Sequence, residues 1–396
     1  MTTLPHNAPD GRRAVAGTPP AAEPHTESAT ESVAEQEGRR DFLTARRRSA
    51  VVELSMTVLT VVAAVLIAFL VVLATGKDAS GAMNALLTGP LERTPRIGRW
   101  LADATTLALL GLSVAIPFRA RQISLGAEAQ VYTGALAAAL VAINLHLPPV
   151  LAVLVPLAAA ALVGGALGAV PGVMKARLGA NEIVATLMLN AVVVRVFDWL
   201  LTDHLKAPSS AAVQSDPIRP DSALPLLTNI FGVPLDQANV GLFGMLAIAA
   251  AVWFLLARTP LGYRIRMTGS NPSFARYGGI DVPRTIEWSF VLGGALAGLA
   301  GAHLVLGIYG GLQPDMAGGL AFEGIVVALL ARNNPIAVVG AALLYSYLRV
   351  GGDVMEQQTD VGSETVIIIQ AVIVLLVTAR ALPDLVERYL ARKGAR

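Results

Sequence analysis

Long apolar runs alternate with short polar stretches along most of the chain. The clearest run, 51–74, reads VVELSMTVLTVVAAVLIAFLVVLA, and its one acid, Glu53, stands near its start. A helix needs about 20 apolar residues to cross a bilayer. Other runs bounded by glycine, proline or charge predict segments at 101–119, 126–145, 149–172, 182–203, 239–257, 287–308, 320–332, 335–350 and 364–380. The pattern predicts an all-α, polytopic membrane bundle of about eight to ten segments, in which the pieces around 320–350 are half-helices or full crossings.

Composition supports a membrane protein and excludes several other classes. The chain has 396 residues, of which 54% are hydrophobic and 15% charged, and its mean hydropathy is +0.61. It contains no cysteine, so neither a disulfide framework nor a thiolate metal site can form. The five histidines form no HExxH-like pair that would hold zinc. The net charge is +2 and the basic residues lie in loops, so nucleic acid is not an expected partner.

The chain is expected to consist of one membrane domain between two tails. Residues 1–40 are rich in Ala, Pro, Glu, Thr and Arg, so burial cannot offset the entropy lost on ordering. We therefore predict a disordered cytoplasmic tail at 1–48, either regulatory or a dispensable extension, and no signal peptide. The membrane domain is expected at 49–385, and a cytoplasmic C-terminal tail at 386–396.

Basic residues predict the orientation of the bundle. Cytoplasmic loops of membrane proteins carry an excess of Lys and Arg. With the N-terminus inside, the inner loops and flanks collect most of the basic residues. The outer loops then collect only Lys77, Arg93, Arg96, Arg99, Lys206 and Arg219. An arrangement with both termini in the cytoplasm follows, and the segment GGDVMEQQTDVGSE, at 351–364, is expected to be an acidic outer loop.

The longest inner connection, 258–285, encodes a short helix with a defined start and end. Asn271 suits the N-cap and Pro272 the first helical position. The pair Gly278 and Gly279 ends the helix after Tyr277. A loop that only connects two membrane helices does not need a short helix with a defined start and end. We therefore expect this helix to be a docking element for a partner protein.

Two polar stretches interrupt the apolar pattern in the two halves of the chain. PFRARQISLGAEAQ, 117–130, carries Glu128 and Gln130, and GIYGGLQPDMAGGLAFEG, 307–324, carries Gln313 and Glu323. Broken segments in corresponding halves mark the substrate path of many transporters. These side chains could line a passage for a neutral polar solute. Alternatively, the two glutamates could simply cap helix N-termini, where unpaired N–H groups favour a carboxylate.

A third candidate lies within the apolar segment 182–203. Thr186 and Asn190 are four residues apart and share one helix face. They could line the passage, or Asn190 could make a hydrogen bond between helices. Arg195 and Asp198, three residues apart, are expected to neutralise one another.

Four separated motifs resemble a known family over about residues 50–385. The phrase GSNPSFARYGGI resembles the ATPase-coupling loop of ABC-importer permeases of the ribose and branched-chain amino-acid type. ISLGAEAQ, GANEIVATLMLNAVVV and FEGIVVALLARNNPIAVVGAALL are similar to signatures of the nucleoside and simple-sugar branch. This likeness implies a coupling function for Asn271, Pro272, Phe274, Ala275, Arg276, Gly278, Gly279 and Ile280. Three positions depart from the pattern: Ser124 replaces Asn, Ala129 replaces Gly, and Phe274 replaces Ala.

The resemblance implies a transport subunit of the cell membrane that is not itself an enzyme. Its expected partners are a cytoplasmic ABC ATPase, a second homologous permease, an extracytoplasmic substrate-binding protein and the lipid bilayer. ATP and Mg²⁺ are expected on the ATPase, because the chain has no G-x-x-x-x-G-K-[ST] motif and is predicted to hold no cofactor itself. Two alternatives stay open, an ion-coupled secondary transporter and a permease for another polar solute such as a branched-chain amino acid. An intramembrane enzyme would need a nucleophile–base set or a metal cluster, and the sequence offers neither.

Overall fold

A computed structural model describes residues 66–67, 69–70, 72–73, 78–208, 211–359, 361–362 and 365–372. Every described residue belongs to one compact unit, which begins at Thr60. The predicted tails at 1–48 and 386–396 lie outside the described residues. So do most of the apolar run 51–74 and about half of 364–380.

The described part is built of helices, and its only β-type pairing is at two isolated bridges, Lys206 with Ser215 and Leu226 with Asn239. A 3₁₀ turn, Pro220–Ser222, and a π-helical stretch, Leu304–Tyr309, complete it. The α-helices are α1 (Ala79–Glu92), α2 (Thr94–Arg119), α3 (Ala127–Asn144), α4 (Pro149–Leu178), α5 (Glu182–Asp203), α6 (Leu227–Phe231), α7 (Gly241–Arg258), α8 (Pro260–Ser270), α9 (Pro272–Tyr277), α10 (Val282–His303), α11 (Leu320–Leu330) and α12 (Pro335–Gln358).

Polar side chains and prolines determine where several helices begin. The Asn181 side chain accepts hydrogen bonds from the N–H groups of Ile183 and Val184 at the start of α5 (3.0 and 3.4 Å). Asn334 accepts one from the Ile336 N–H at the start of α12 (3.1 Å). A proline stands in the first turn of α4, α8, α9, α10 and α12, where its missing N–H would have no helical partner anyway.

Six of the described helices are long and apolar enough to cross a membrane: α2, α4, α5, α7, α10 with its π-helical extension, and α12. The 18-residue α3 corresponds to the predicted segment 126–145, and the short apolar α11 to 320–332. Every segment predicted between residues 101 and 350 therefore contains a helix. The structure confirms a polytopic helical bundle.

Some predicted element boundaries were wrong. The segment predicted to end at 350 continues as helix α12 to Gln358, so the first half of the expected acidic loop is helical. Helix α1 lies where a plain outer loop was expected, and α2 begins at Thr94, before the predicted start at 101. The connection at 258–285 holds α8 as well as the predicted short helix α9.

Glycines allow α3, α4 and α10 to cross at very short distance. A Cβ atom built on Gly164 of α4 would lie 2.5 Å from the Gly294 carbonyl oxygen and 2.8 Å from Gly298 Cα, both in α10. Gly134 of α3 meets the same Gly298 backbone. Real Cβ atoms essentially never approach within 3.0 Å, so only glycine fits at this crossing. Helix α3 follows the first polar interruption and α10 precedes the second. The crossing therefore holds the two interruptions against the same core.

Polar contacts define two ends of the bundle. At one, which we call the loop end, the Arg119 guanidinium donates to the Asn333 carbonyl (2.9 Å), and Gly269 of α8 packs against the Arg119 backbone. At the other, the distal end, Arg99 near the start of α2 pairs with Asp353 near the end of α12 (2.6 Å). Helices α2 and α12 are therefore antiparallel neighbours, with the capped loop at the loop end.

Candidate functional site

The first polar interruption is a break between α2 and α3. Helix α2 ends at Arg119, Arg121 adopts a left-handed φ of 56°, and α3 begins at Ala127. Backbone groups in such a break lack helical partners, and an unsatisfied group costs several kcal/mol at membrane depth. The break therefore needs partners from elsewhere in the bundle.

Helix α5 supplies those partners through two of the predicted site residues. The Asn190 amide donates to the Leu125 carbonyl (2.7 Å), and its oxygen accepts from the Ala129 N–H (3.1 Å). The Thr186 hydroxyl oxygen accepts from the Leu125 N–H (3.4 Å) and donates to the Glu182 carbonyl (2.6 Å). Both side chains are buried, and they support the backbone of the first break.

Gln130 and Glu128 occupy different surroundings just after that break. Gln130 is buried, and its amide nitrogen lies where Cβ atoms on Gly126 and Gly168 would approach within 3.6 and 3.3 Å. It therefore faces helix α4. Glu128 is half-buried in the first turn of α3, close enough to Asp315 in the second break for their charges to interact.

The second interruption follows the π-helical end of α10. Gly310 has a left-handed φ of 69°, and Asp315 has one of 53°, before two further left-handed glycines precede α11. A left-handed backbone costs an ordinary L-residue roughly 1–2 kcal/mol, which explains the glycines here. The unwound segment leaves backbone N–H and C=O groups without helical partners, as the first break does after α2.

The connection after α5 closes over the second break. The Ser215 N–H donates to the Leu312 carbonyl (3.0 Å), and the Leu312 N–H donates to the Ser215 hydroxyl (2.8 Å). The Ile218 N–H donates to the Gly310 carbonyl (2.9 Å). These bonds tie the connection to the broken segment, so the connection, which includes the predicted outer-loop residue Lys206, belongs in part to the site.

A cavity of about 260 Å³ lies where α3, α5 and the second break meet. It is lined by Tyr132 of α3, by Val194, Asp198, Leu201 and Thr202 of α5, by Val213 of the connection and by Pro314 and Asp315 of the second break. Pockets for small molecules usually measure about 300–1,000 Å³, so this one suits a small solute. The residues that follow the first break and those of the second thus share one cavity.

The cavity wall combines aromatic and acidic groups. Tyr132 packs against Phe197, with ring centroids 4.7 Å apart. The predicted pair of Arg195 with Asp198 is present but long, at 3.9 Å, and Asp315 is exposed. Carboxylates accept hydrogen bonds and cannot donate them when ionised. The cavity is therefore suited to a solute that donates hydrogen bonds through hydroxyl or N–H groups.

None of the six predicted path residues is among those that line this cavity. Gln313 is half-buried and adjoins the lining residue Pro314. Glu323 lies in the first turn of α11, and its carboxylate accepts from Arg349 of α12 (3.0 Å). The sequence reasoning missed Asp315, although it lies inside the second predicted interruption.

The capped loop has the predicted form. The Asn271 side chain accepts from the N–H groups of Ser273 and Phe274 (3.0 and 3.1 Å) at the start of α9. The helix ends at Tyr277, Gly278 forms its C-cap, and Gly279 adopts a left-handed φ of 76°. The helix therefore begins and ends at the predicted residues.

Helix α9 is anchored on one side and exposed on the other. Ala275 is only 1% exposed and packs with Val282, Ile286 and Phe290 of α10, while Ile280 packs against the edge of this cluster. Two aromatic side chains point away from the bundle, Phe274 at 61% exposure and Tyr277 at 92%. Arg276 is exposed beside them. Such a surface can receive a partner protein and pass its movement to α10.

Comparison with known proteins identifies a family of transporter permeases. A family described as the permease component of branched-chain amino acid transport systems matches residues 96–378. The guanosine ABC transporter permease protein NupP of Bacillus subtilis is 31% identical, over 82% of this chain and 93% of that protein.

Two further relatives match most of the chain. The glucose ABC transporter permease protein TsgB13 of Haloferax volcanii is 31% identical, over 80% of this chain and 85% of its own length. The nucleoside ABC transporter permease protein NupB of Lactococcus lactis is 27% identical, over 80% and 88%. No solved structure matches the chain.

Proposed function

Because the chain belongs to the family of permease components of branched-chain amino acid transport systems, we propose that it forms the passage for a nucleoside or a simple sugar in an ABC importer. It is a multi-pass protein of the plasma membrane and a transport subunit, not an enzyme. The observation that carries the proposal is the small cavity with two carboxylates in its wall, where α3, the helix after the first break, meets α5 and the second break.

Two arguments favour a nucleoside or sugar over a branched-chain amino acid. Relatives that each match about four fifths of the chain are named for guanosine, glucose and nucleosides. The cavity presents the carboxylates of Asp198 and Asp315, which accept hydrogen bonds from hydroxyl and N–H donors, and its lining includes no cation to pair with the carboxylate of an amino acid. A ribose or hexose ring offers several donors and no charge.

The chain works with an ATPase and a substrate-binding protein, as ABC permeases do. In our proposal the ATPase lies in the cytoplasm, carries the ATP and Mg²⁺, and docks on the exposed face of α9. The binding protein delivers solute at the distal end, and a second homologous permease completes the passage. This arrangement requires both termini to lie in the cytoplasm.

Within the site, we assign two kinds of function. Asp198, Asp315 and Tyr132 contact the solute, because they line the cavity. Thr186 and Asn190 hold the first break in shape, which keeps Tyr132 and Glu128 at their positions. Movement of α9 then reaches the cavity through α10, because α10 packs against α9 at one end and leads into the second break at the other.

Uptake by the reconstituted complex tests the proposal. The permease is purified with its ATPase and binding protein, inserted into liposomes and supplied with ATP on the ATPase side. Radiolabelled guanosine, glucose and leucine are offered in turn. We expect uptake of guanosine or glucose that requires ATP and continues when ionophores dissipate ion gradients.

Two results would contradict the proposal. Uptake that persists without ATP and collapses with the ion gradient would identify a secondary transporter. Uptake of leucine, with no uptake of guanosine or glucose, would show that the chain transports an amino acid instead.

A further inference from the structure

A second group of charged side chains lies at the distal end, apart from the cavity lining. Arg99 of α2 pairs with Asp353 of α12 (2.6 Å), and Arg349 of α12 pairs with Glu323 of α11 (3.0 Å). A third carboxylate, Asp103 of α2, interacts electrostatically with both arginines. We call these five residues the distal charge cluster.

The distal charge cluster is partly open on one side. The side chains of Glu323 and Arg349 are 26% and 27% exposed, and those of Asp353 and Arg99 are 32% and 42% exposed. Tyr309, at the end of the π-helical stretch, is 44% exposed and interacts with Asp103. Charged groups in membrane helices face a water-filled space or the interior of an assembly, because contact with lipid is too costly. The exposed side of the cluster therefore faces water at the distal end or the interior of the assembly, and not lipid.

Within the cluster the charges do not balance. Three carboxylates face two guanidinium groups, and each guanidinium is already hydrogen-bonded to one carboxylate. The remaining carboxylate belongs to Asp103, and its Oδ2 atom is buried with no hydrogen-bond partner among the described residues. Asp103 lies nine residues into α2, about 13 Å from its start at 1.5 Å per residue.

An unpartnered buried carboxylate oxygen is costly, so a ligand that supplies the missing donor would bind favourably at Asp103. Leaving a buried polar group unsatisfied costs about 1–3 kcal/mol, and more for a charged one. The three relatives named above are named for nucleosides or glucose, and the chemical feature that these solutes share is a ring with adjacent hydroxyl groups. Hydroxyl groups donate to carboxylates in short, charge-assisted hydrogen bonds.

We propose that Asp103 is a solute-binding residue, which accepts hydrogen bonds from the ring hydroxyls of the solute as it passes the distal charge cluster. This inference rests on the proposed transport of a nucleoside or sugar. In the conformation described here Oδ2 is enclosed, and the solute reaches it when the bundle opens at the distal end during the transport cycle, with both ion pairs intact. The two ion pairs hold the neighbouring charges in place, so that only Asp103 is available to the solute.

Substitution of Asp103 tests this with two solutes that differ in their hydroxyl groups. The complex carrying Asp103→Asn is reconstituted, and uptake of guanosine is compared with that of 2′,3′-dideoxyguanosine, or, where the wild type takes up glucose, uptake of glucose with that of 2,3-dideoxyglucose, which has no adjacent hydroxyl groups. We expect the uptake rate of the full solute to fall about tenfold, because an amide replaces a charge-assisted acceptor, and that of the deoxy solute to change less than about twofold. Asp203→Asn, an exposed carboxylate at the end of α5, is the matched control and should leave both rates unchanged.

The outcomes of this comparison separate solute contact from a structural function. An equal fall in both rates would make Asp103 a structural residue and overturn the proposal. Unchanged rates for both solutes would overturn it as well. A complex that takes up neither guanosine nor glucose in its wild-type form would overturn the proposed function, and with it the solute assigned to Asp103.

Thiol labelling gives a test of the open face that does not depend on uptake. The chain has no cysteine, so a single introduced thiol can be followed without background. We expect Tyr309→Cys to react with the membrane-impermeant cation 2-(trimethylammonium)ethyl methanethiosulfonate at least about tenfold faster than Leu162→Cys, because thiols ionise and react in water and hardly at all in lipid. Leu162 is the control because it is 74% exposed on the apolar surface of α4. Equal, slow reaction at both positions would show that the cluster faces no water, and would overturn the proposal even in a complex that transports guanosine.

Discussion

Asn190 lies in an apolar helix, yet both ends of its side-chain amide are bonded to the backbone of the first break. The sequence could identify it as an unusual polar residue in a membrane segment. It could not identify its partners, Leu125 and Ala129, because they are more than 60 residues away along the chain. The local sequence shows that the Asn190 amide needs a hydrogen-bond partner. Only the tertiary structure shows which residues supply it.

We predict that Asn190→Leu destabilises the protein more than it changes solute selection. The substitution leaves the Leu125 carbonyl and the Ala129 N–H without partners, at a cost of about 1–3 kcal/mol each. The melting temperature of the purified permease in detergent should fall. Asn144→Leu is the control, because that side chain bonds only to the Leu140 carbonyl at an exposed helix end (2.8 Å). Unchanged stability together with altered solute affinity would put the Asn190 amide in the passage.

At the scale of elements, helix α9 shows how much a short sequence can specify. Asn271, Pro272 and the two glycines predicted its start and its end, and all four act as expected. The bulky Phe274, which departs from the family pattern, is accommodated because it points into solvent. It therefore enlarges the exposed face of α9 without disturbing the packing of Ala275.

The end of α9 offers a test of coupling. Gly279 has a left-handed φ of 76°, which a β-branched residue adopts only with strain, so Gly279→Val should displace the helix end. We expect ATP hydrolysis by the assembled complex to continue while solute uptake falls at least about threefold, because a displaced contact transmits less of the ATPase movement. Both rates are measured in the same proteoliposomes.

Gly278→Ala is the matched control for this variant. Gly278 has a φ of −76°, and a Cβ there would lie 3.5 Å from the Ala275 carbonyl, an ordinary contact. This variant should couple normally. Normal uptake by Gly279→Val would contradict the coupling function of α9.

Element boundaries were predicted less well than the elements themselves. Charged residues such as Arg99 and Asp353 were read as loop, whereas both lie inside long helices and pair with each other. A charged side chain interrupts an apolar run without ending the helix, and partners 254 positions apart leave no local signal that the charge is paired. The same reason explains why the sequence did not predict the distal charge cluster, of which it singled out only Glu323 as a site residue.

At the scale of the whole molecule, the two interruptions, the glycine crossing and the capped loop belong to one arrangement. The crossing of α3, α4 and α10 fixes both breaks, and the cavity lies between α3, which follows the first break, α5 and the second break itself. The sequence predicted that the two interruptions would meet. It could not predict that Asp198 and Thr202 of α5 would complete the wall, because this depends on how α5 packs.

The most direct test of the account asks whether solute passes through this cavity. Thr202 and Asp315 line it from opposite elements, so Thr202→Cys and Asp315→Cys can be combined in the cysteine-free chain and joined by a short bifunctional methanethiosulfonate. Uptake of the transported solute is then measured in proteoliposomes before cross-linking, after it, and after reduction. We predict that cross-linking stops ATP-driven uptake and that reduction restores it. Undiminished uptake by the fully cross-linked protein would contradict a passage between the two helix breaks.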